Sequence, residues 1–514
     1  MNWIWVIVAI QIVSGVIAIV RFLTLAQNNN YVLPHGRSFF IFYIPLVFFL
    51  LGTYVFLLTG KIFDNSVFYL FGAFFSAIEL LFVAKKSFFS RIKYKFSTRG
   101  KYCFIFIALF YIFAISILSI SIKKVIILGA SIYCINLIIP LFLHIILSVI
   151  NMYYNAKNNK YIIHQKNALL QKKPIVVGIT GSYGKTSCKK ILETLLSDDY
   201  SVVVTDKNYN TPMGVALSID KINEGTEIFI AEFGARKEGD IQELCKLFPP
   251  KYGIISGICA QHLETFGTLE NICMEKQQLA KAVEKAGGVC VFNTNDKYVM
   301  KMYKDHKGRK ISAGCNKKCN AYAKDIVLKT TGSSFTLHIG KESTLCETKL
   351  LGKHQVSNIV LCAALAYELG CSMERIKEKI AKISQIKHRL EYVYSNGVHI
   401  LDDAYNGNIR GIKSALEVVD LFDCRKIIVA QGVVELGKIA KEENEKLGRE
   451  FTKCFDIVIL TGVNKKYILN GLKQANFAGE IIIENSFKCV KKVIQKRVKP
   501  GDLLYLQNDI PDIY

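Results

Sequence analysis

The stretch Ile175-Val176-Val177-Gly178-Ile179-Thr180-Gly181-Ser182-Tyr183-Gly184-Lys185-Thr186-Ser187 decides how the rest of the chain is read. A β-branched apolar run ends in a glycine-containing turn. Lys-Thr-Ser then opens a segment in which Ile191, Leu192, Leu195 and Leu196 recur at helical spacing. The pattern is a buried strand, a phosphate-binding loop and a helix N-terminus. Backbone N–H groups around Gly181, Ser182, Gly184 and Ser187, with the helix dipole behind them, are placed to hold the phosphates of a nucleotide. Lys185 would reach the outer phosphates, and the Thr186 hydroxyl would meet magnesium. The spacing departs from the general phosphate-loop pattern at one position, since Ile179 stands where its first glycine is expected.

The 514 residues suffice for about three domains. Hydrophobic residues make up 51% of the chain, and the formal net charge is +24. The apolar excess is concentrated before residue 150, in the runs Trp3 to Val20, Phe39 to Leu58, Ser66 to Ala84, Cys103 to Ile122 and Val125 to Ile150. Each approaches the ~20 residues that cross a bilayer. The reading is a five-span α-helical membrane module over 1–150; four spans remain an alternative, because only Lys123-Lys124 separates the last two runs. Lys85, Lys86, Arg91, Lys93, Lys95, Arg99 and Lys101 assign their loop to the cytoplasmic side. That predicts a multi-pass protein of the cytoplasmic membrane, in contact with lipid, with everything after residue 150 inside the cell. Lys123 and Lys124 then fall on the wrong side and count against this topology. Glu79 inside the third run is either a functional acid or a snorkelling one. Asn136, Pro140 and His144 share one helical face, for packing or for substrate contact.

The positive charge comes with no recognised nucleic-acid-binding module, which argues against a nucleic-acid partner. The 15 cysteines are scattered without a Cys-x-x-Cys pair, as in a reducing compartment. Cys315 and Cys319 lack the second pair that a zinc site would need. Residues 151–172, rich in Asn and Lys, read as a juxtamembrane helix or linker. From 173 onward short β-rich runs alternate with amphipathic segments, predicting an α/β domain with a parallel sheet. Within it, Ile228-Phe229-Ile230-Ala231 runs into Glu232, a carboxylate at a strand end after a phosphate loop and hence a candidate magnesium ligand. His262 is either a ligand or phosphate contact, or a structural histidine. Lys276, taken alone, is a residue of a solvated helix face.

Further motifs follow in order: Asn208-Tyr209-Asn210-Thr211-Pro212-Met213-Gly214-Val215, Ala231-Glu232-Phe233-Gly234-Ala235 with Gly239-Asp240-Ile241, His262-Leu263-Glu264-Thr265-Phe266-Gly267, Asn293-Thr294-Asn295-Asp296 and Gly352-Lys353-His354-Gln355-Val356-Ser357-Asn358. Arg389, Leu401-Asp402-Asp403-Ala404-Tyr405-Asn406 and Val434-Glu435-Leu436-Gly437 complete the series. Over residues 173 to 440 the chain resembles the Mur ligases, most closely the branch that adds D-alanyl-D-alanine to UDP-N-acetylmuramoyl-tripeptide. The resemblance implies a central phosphate-loop ATPase domain (173–388) and a Rossmann-like C-terminal domain (389–514). It implies ATP and Mg²⁺ as cofactors and a carboxylate–amine ligation through an acyl phosphate. By this resemblance Lys185, Lys276 and His262 are catalytic, and Thr186, Glu232, His262 and a carbamylated Lys276 hold the metal. Asn293, Asn358, Arg389 and Asp403 contact the nucleotide, while Asn208, Asn210, Asp402 and Tyr405 contact the acceptor or its surroundings. The implied partners are a cell-envelope precursor bearing a carboxylate and an amino acid or dipeptide bearing an amine.

The chain departs from the pattern in three places. The domain that grips the UDP moiety has no counterpart, and the apolar module stands in its place. Gln355 replaces an Asn, and Lys207 replaces a Gly before Asn208. The basic Lys-Gly-Ser-Arg stretch of the C-terminal domain is missing, and the chain reads Gln507-Asn508-Asp509-Ile510-Pro511-Asp512-Ile513-Tyr514 instead. The expectation is therefore a membrane-anchored peptide ligase of cell-wall precursor synthesis. A poly-γ-glutamate synthase-like or other amino-acid ligase, and a degenerate nucleotide-binding scaffold, stand as alternatives.

Overall fold

The strand expected to precede the phosphate loop is β1 (Ile175–Thr180), and it lies in the interior of a sheet rather than at its edge. The computed structural model describes residues 125–507 apart from 261, 262 and 406, together with the isolated positions 12, 13, 105, 109 and 113. The chain divides into two units, Met1–Asn159 and Lys160–Tyr514.

The membrane module is not borne out. Among the described residues no helix is long and apolar enough to cross a membrane. The first four apolar runs lie almost wholly outside the described residues, as does Glu79. The fifth does not end at Ile150: it opens a single helix, Val125–Lys172, that continues through the Asn- and Lys-rich segment read as a linker. Apolar content alone does not distinguish a spanning helix from one buried in protein. With the module goes the multi-pass membrane localisation; the lipid partner that rested on it has no support among the described residues.

In the second unit, β1 is followed by β2 (Val202–Val204), β3 (Ile228–Glu232), β4 (Tyr252–Ile255), β5 (Val289–Asn293) and β6 (Arg309–Gly314), then by β7 (Ala321–Lys329), β8 (Gly332–Ile339) and β9 (Glu342–Thr348). They form one nine-stranded sheet in the order β2-β3-β1-β4-β5-β6-β7-β8-β9. Pairing is parallel from β2 to β6, as the alternation of strand and helix predicts, and β7 adds to β6 by a short parallel pairing at Ala313–Ala321 and Gly314–Tyr322 with no helix between the two strands. Beyond β7 it turns antiparallel, because β7, β8 and β9 are joined by tight turns instead of crossover helices.

The period-2 geometry of the strands sorts their side chains into two layers. Val177, Ile179, Ile228 and Ile230 pack against the helices Lys185–Leu196 and Lys353–Glu368. Val176, Phe229 and Ala231, on the opposite face, pack against the helices Pro212–Ile219, Asp240–Leu247 and Leu269–Lys285. Coverage on both faces is why these strands are continuous apolar runs.

The second sheet contains β10 (Glu391–Ser395), β11 (Val398–Asp403), β12 (Lys426–Ala430), β13 (Ile457–Leu460), β14 (Glu480–Ile483) and β15 (Leu503–Gln507), in the order β10-β11-β15-β12-β13-β14. Only the β10–β11 hairpin is antiparallel. The acidic tail after Gln507 lies outside the described residues.

Candidate active site

The helix Lys185–Leu196 begins at Gly184, whose φ of 80° places it in left-handed conformation, and no side chain caps it. Its first N–H groups are therefore free of a side-chain cap, the arrangement that receives anions. A β-carbon on Gly184 would sit 2.8 Å from the Asn358 side-chain oxygen, so only glycine fits the turn where it passes under that residue. The Lys185 Nζ donates to the Gly181 carbonyl at 2.7 Å, folding the lysine over the loop. Burial pulls its pKa down, opposed by Glu232 and assisted by Arg389.

Glu232 ends β3 and is 2% exposed. Its Oε2 accepts from the Thr186 hydroxyl at 3.0 Å, and its Oε1 accepts from the Asn210 amide at 3.3 Å. Parallel pairing brings this about: Ile179 of β1 is in register with Glu232, so the end of one strand delivers the carboxylate to the loop at the end of the other. Hydroxyl and carboxylate oxygens side by side are the donor chemistry that magnesium takes.

Lys276, expected on a solvated face when read alone, is 3% exposed. Burial and the nearby Lys185 cation lower its pKa to about 7, against the pull of Glu275 and Asp240. Its neighbour Glu275 accepts from the backbone N–H groups of Gly239 and Ile241, at 2.8 and 2.5 Å, and so ties down the start of the helix Asp240–Leu247. His262 lies outside the described residues.

Two cavities adjoin the loop. The larger, about 600 Å³, is lined by Lys185, Thr186, Asn208, Asn210, Glu232 and Tyr405 among others. The smaller, about 270 Å³, is lined by Asn293, Asn358, Asp403 and His354 among others. Tyr183, Gly184, Ser187, Arg389 and Arg410 border both. Of the expected phosphate and acceptor residues, Ser182, Gly184, Lys185, Thr186, Ser187, Asn208, Asn210 and Tyr405 thus meet in one space, and the expected nucleoside contacts meet in the next. Asn293 also braces the strand ends, its amide donating to the Ser256 carbonyl at 2.6 Å. Arg389 donates to the Tyr405 carbonyl at 2.8 Å, with its guanidinium 4.7 Å from the Tyr405 ring centre. Asp403 accepts from the Leu390 N–H and the Tyr505 hydroxyl, and burial pushes its carboxyl up to about 7 against the pull of Arg389. Asp402 and Lys276 line neither cavity. The Asp402 carboxylate is engaged with His388 Nδ1 at 2.7 Å and the Ala404 N–H at 3.0 Å.

Three contacts that the motifs did not announce join the part of the chain before Arg389 to the part after it. Asn208 donates to the Tyr405 hydroxyl at 2.6 Å, and His354 Nδ1 meets the Ser414 hydroxyl at 2.9 Å. The third is a cluster. Tyr183 of the phosphate loop donates to Asp296 Oδ2 at 3.0 Å, and Arg410 bonds both Asp296 and the Tyr183 hydroxyl. Nothing in the local sequence of Arg410 signals this, since its partners are 114 and 227 residues away. Lys189 was also missed: it is 0% exposed and 3.7 Å from Glu232. Its position four residues after Lys185, in the buried stripe of that helix, was the available signal.

Comparison with known proteins bears on the same residues. Residues 179–366 match the family model of the Mur ligase middle domain, and residues 388–507 match that of the Mur ligase glutamate ligase domain. The UDP-N-acetylmuramoyl-tripeptide–D-alanyl-D-alanine ligase of Buchnera aphidicola is 29% identical over 265 residues, which are 51% of this chain and 57% of the relative. The enzyme of the same name from Haemophilus influenzae is 26% identical over 355 residues, 65% of this chain and 77% of the relative. Among solved structures, the MurF ligase of Thermotoga maritima in complex with ADP superposes with a TM-score of 0.61 at 25% identity, covering 68% of this chain and 80% of that one.

Proposed function

Because the chain belongs to the Mur ligase family, ATP-dependent enzymes that form a carbon–nitrogen bond, we propose that it joins the amine of D-alanyl-D-alanine to the terminal carboxylate of a peptidoglycan-precursor peptide. The relatives of that name support the choice of branch. The observation that carries the reading is the Thr186–Glu232 contact of 3.0 Å, beside Lys185, on the wall of a cavity of about 600 Å³ reached by both sheets' loops.

The acceptor carboxylate is unreactive toward amines until one of its oxygens is a leaving group. A carboxylate oxygen attacks the γ-phosphorus of ATP, the bond to the β–γ bridging oxygen breaks, and ADP leaves. The amine nitrogen then adds to the carbonyl carbon of the acyl phosphate. The tetrahedral intermediate expels phosphate, and one N–H proton is lost. Lys185 offers a cation to the transferring phosphoryl oxygens, where preorganised charge contributes most. Asn208 and Asn210 face the acceptor, and Asn358, Arg389 and Asp403 border the space for the nucleoside. Thr186 and Glu232, joined by Lys276 once it is carbamylated, would hold Mg²⁺, which when bound neutralises phosphate charge. An amine with a pKa of about 7 suits reaction with carbon dioxide, since a substantial fraction is unprotonated near neutral pH.

Phosphate release from ATP by the full-length protein tests the proposal. It should require both UDP-N-acetylmuramoyl-tripeptide and D-alanyl-D-alanine, with the pentapeptide appearing by mass spectrometry. ATP binding with no release under those conditions would refute it.

A further inference from the structure

Lys189 is one helical turn beyond Lys185 and is among the largest fully buried side chains in the described structure. A buried ammonium is retained only where its protons are taken up. Here the Nζ donates to the Thr205 carbonyl at 2.7 Å and to the Lys207 carbonyl at 2.6 Å. It also lies 3.5 Å from the Thr205 hydroxyl and 3.7 Å from Glu232 Oε2. The Thr205 hydroxyl in turn accepts from the Glu232 N–H at 3.2 Å. One cation therefore touches the segment after β2 and the carboxylate at the end of β3, while its own helix carries Lys185 and Thr186.

The segment it holds is the one that carries Asn208 and Asn210. Lys207 has a φ of 41°, a left-handed conformation that a non-glycine residue adopts only when the surroundings impose it. Its carbonyl is one of the two taken by Lys189. Immediately downstream Asn208 reaches Tyr405, and Asn210 reaches Glu232 while its carbonyl accepts from the Gly234 N–H at 2.9 Å. An apolar side chain of the same length would fill the space but leave both carbonyls without this donor.

We infer that Lys189 is a positioning residue for the ligation: its buried ammonium fixes the Glu232 carboxylate beside Thr186 and, through the Thr205 and Lys207 carbonyls, fixes the 205–210 segment that presents Asn208 and Asn210. The inference rests on the ligase reading for its catalytic meaning. It acts through Glu232 and the two asparagines and touches no reacting atom.

The test compares full-length wild type with Lys189→Met and with Lys189→Gln, which keeps a polar group in the site. Three quantities are read in each: Mn²⁺ affinity in the presence of ADP, by the loss of the free-ion electron paramagnetic resonance signal; the rate of trypsin cleavage after Lys207; and the KM for acceptor against that for ATP. Loss of a group that orients a metal ligand typically weakens the metal by about tenfold or more. The expectation in Lys189→Met is Mn²⁺ binding weaker by about tenfold, with faster cleavage after Lys207 and a raised acceptor KM. The KM for ATP should change far less. Wild-type Mn²⁺ affinity and wild-type cleavage in a folded Lys189→Met protein would overturn the inference; if that variant does not fold, the same result in Lys189→Gln would do so. Failure of the wild type to turn over would count against the ligase reading, while the metal and cleavage measurements would still decide the role of Lys189.

Discussion

Replacing Arg410 by Met tests whether the second sheet's domain acts directly on the phosphate loop. The Asp296 carboxylate is fully buried, with Oδ1 accepting from the Tyr298 and Val299 N–H groups at 2.9 and 3.2 Å. Oδ2 accepts from the Ile258 N–H at 3.2 Å, from the Tyr183 hydroxyl at 3.0 Å, and from Arg410. Losing Arg410 thus removes one charged donor and leaves the others. A hydrogen bond to a charged group contributes roughly 1.5–3 kcal/mol. The Arg410 side chain is 43% exposed, so solvent screening reduces that to about 1 kcal/mol. At about 1.4 kcal/mol per decade, Arg410→Met should lower kcat/KM for ATP by roughly fivefold. Asp296→Asn keeps the cap on the helix Lys297–Asp305, because Asn caps about as well as Asp, but it removes the charge that Arg410 meets and puts an NH2 where Oδ2 accepted from Arg410 and from the Ile258 N–H. The double variant should therefore lose little more than the worse single variant, a coupling of about 1 kcal/mol. Steady-state phosphate release at a fixed saturating acceptor concentration measures all four proteins. Single effects that multiply in the double variant would refute the cluster as a functional unit.

Lys185→Ala should reduce acceptor-dependent phosphate release by about a hundredfold or more while the protein remains folded, and a wild-type rate would sink the proposed chemistry. Gly184→Ala forces a β-carbon into a left-handed turn 2.8 Å from the Asn358 side-chain oxygen; it should cost roughly 1–2 kcal/mol and abolish the thermal shift produced by ADP, and an undiminished shift would contradict the turn's role. Asp403, faced by Arg389, Asp402 and the Tyr505 hydroxyl, has its carboxyl pushed up to about 7 by burial. From its unfolded value to about 7 the folded state therefore holds a proton that the unfolded chain has released. The stability it contributes is present at low pH and is lost as pH rises through about 7. The Tm of wild type relative to Asp403→Asn should fall between pH 5.5 and pH 8; a difference that stays level or rises would show the carboxyl to be ionised throughout.

What was legible in the sequence was local chemistry, and what was not depended on distance along the chain or on which side of a helix faces inward. The phosphate loop could be read because strand, turn, lysine and hydroxyl are consecutive, and Glu232 because a strand's end has one location in a parallel sheet. The antiparallel β7–β9 extension could have been read from the turns at 330–331 and 340–341, which bracket the alternation of apolar and polar residues in Ser334-Phe335-Thr336-Leu337-His338-Ile339 of β8. Taken alone, Lys276 was assigned to a solvated face because a charged residue on a helix is ordinarily solvated; only the resemblance set it in the site. Yet Ile272, Lys276, Leu279 and Val283 recur at the i, i+4, i+7, i+11 spacing of one face, so the lysine falls inside the apolar stripe. Lys189 obeys the same rule between Cys188 and Ile191–Leu192 on the helix that opens at Lys185. The useful signal in both cases is a lysine where the helical period demands an apolar residue. Such a residue must find carbonyls or carboxylates to receive its protons, and behind a phosphate loop those groups belong to the segments that organise the site. The run Val125 to Ile150 presents the opposite difficulty, because a continuous apolar composition has no period to compare it with and hydropathy then stands alone.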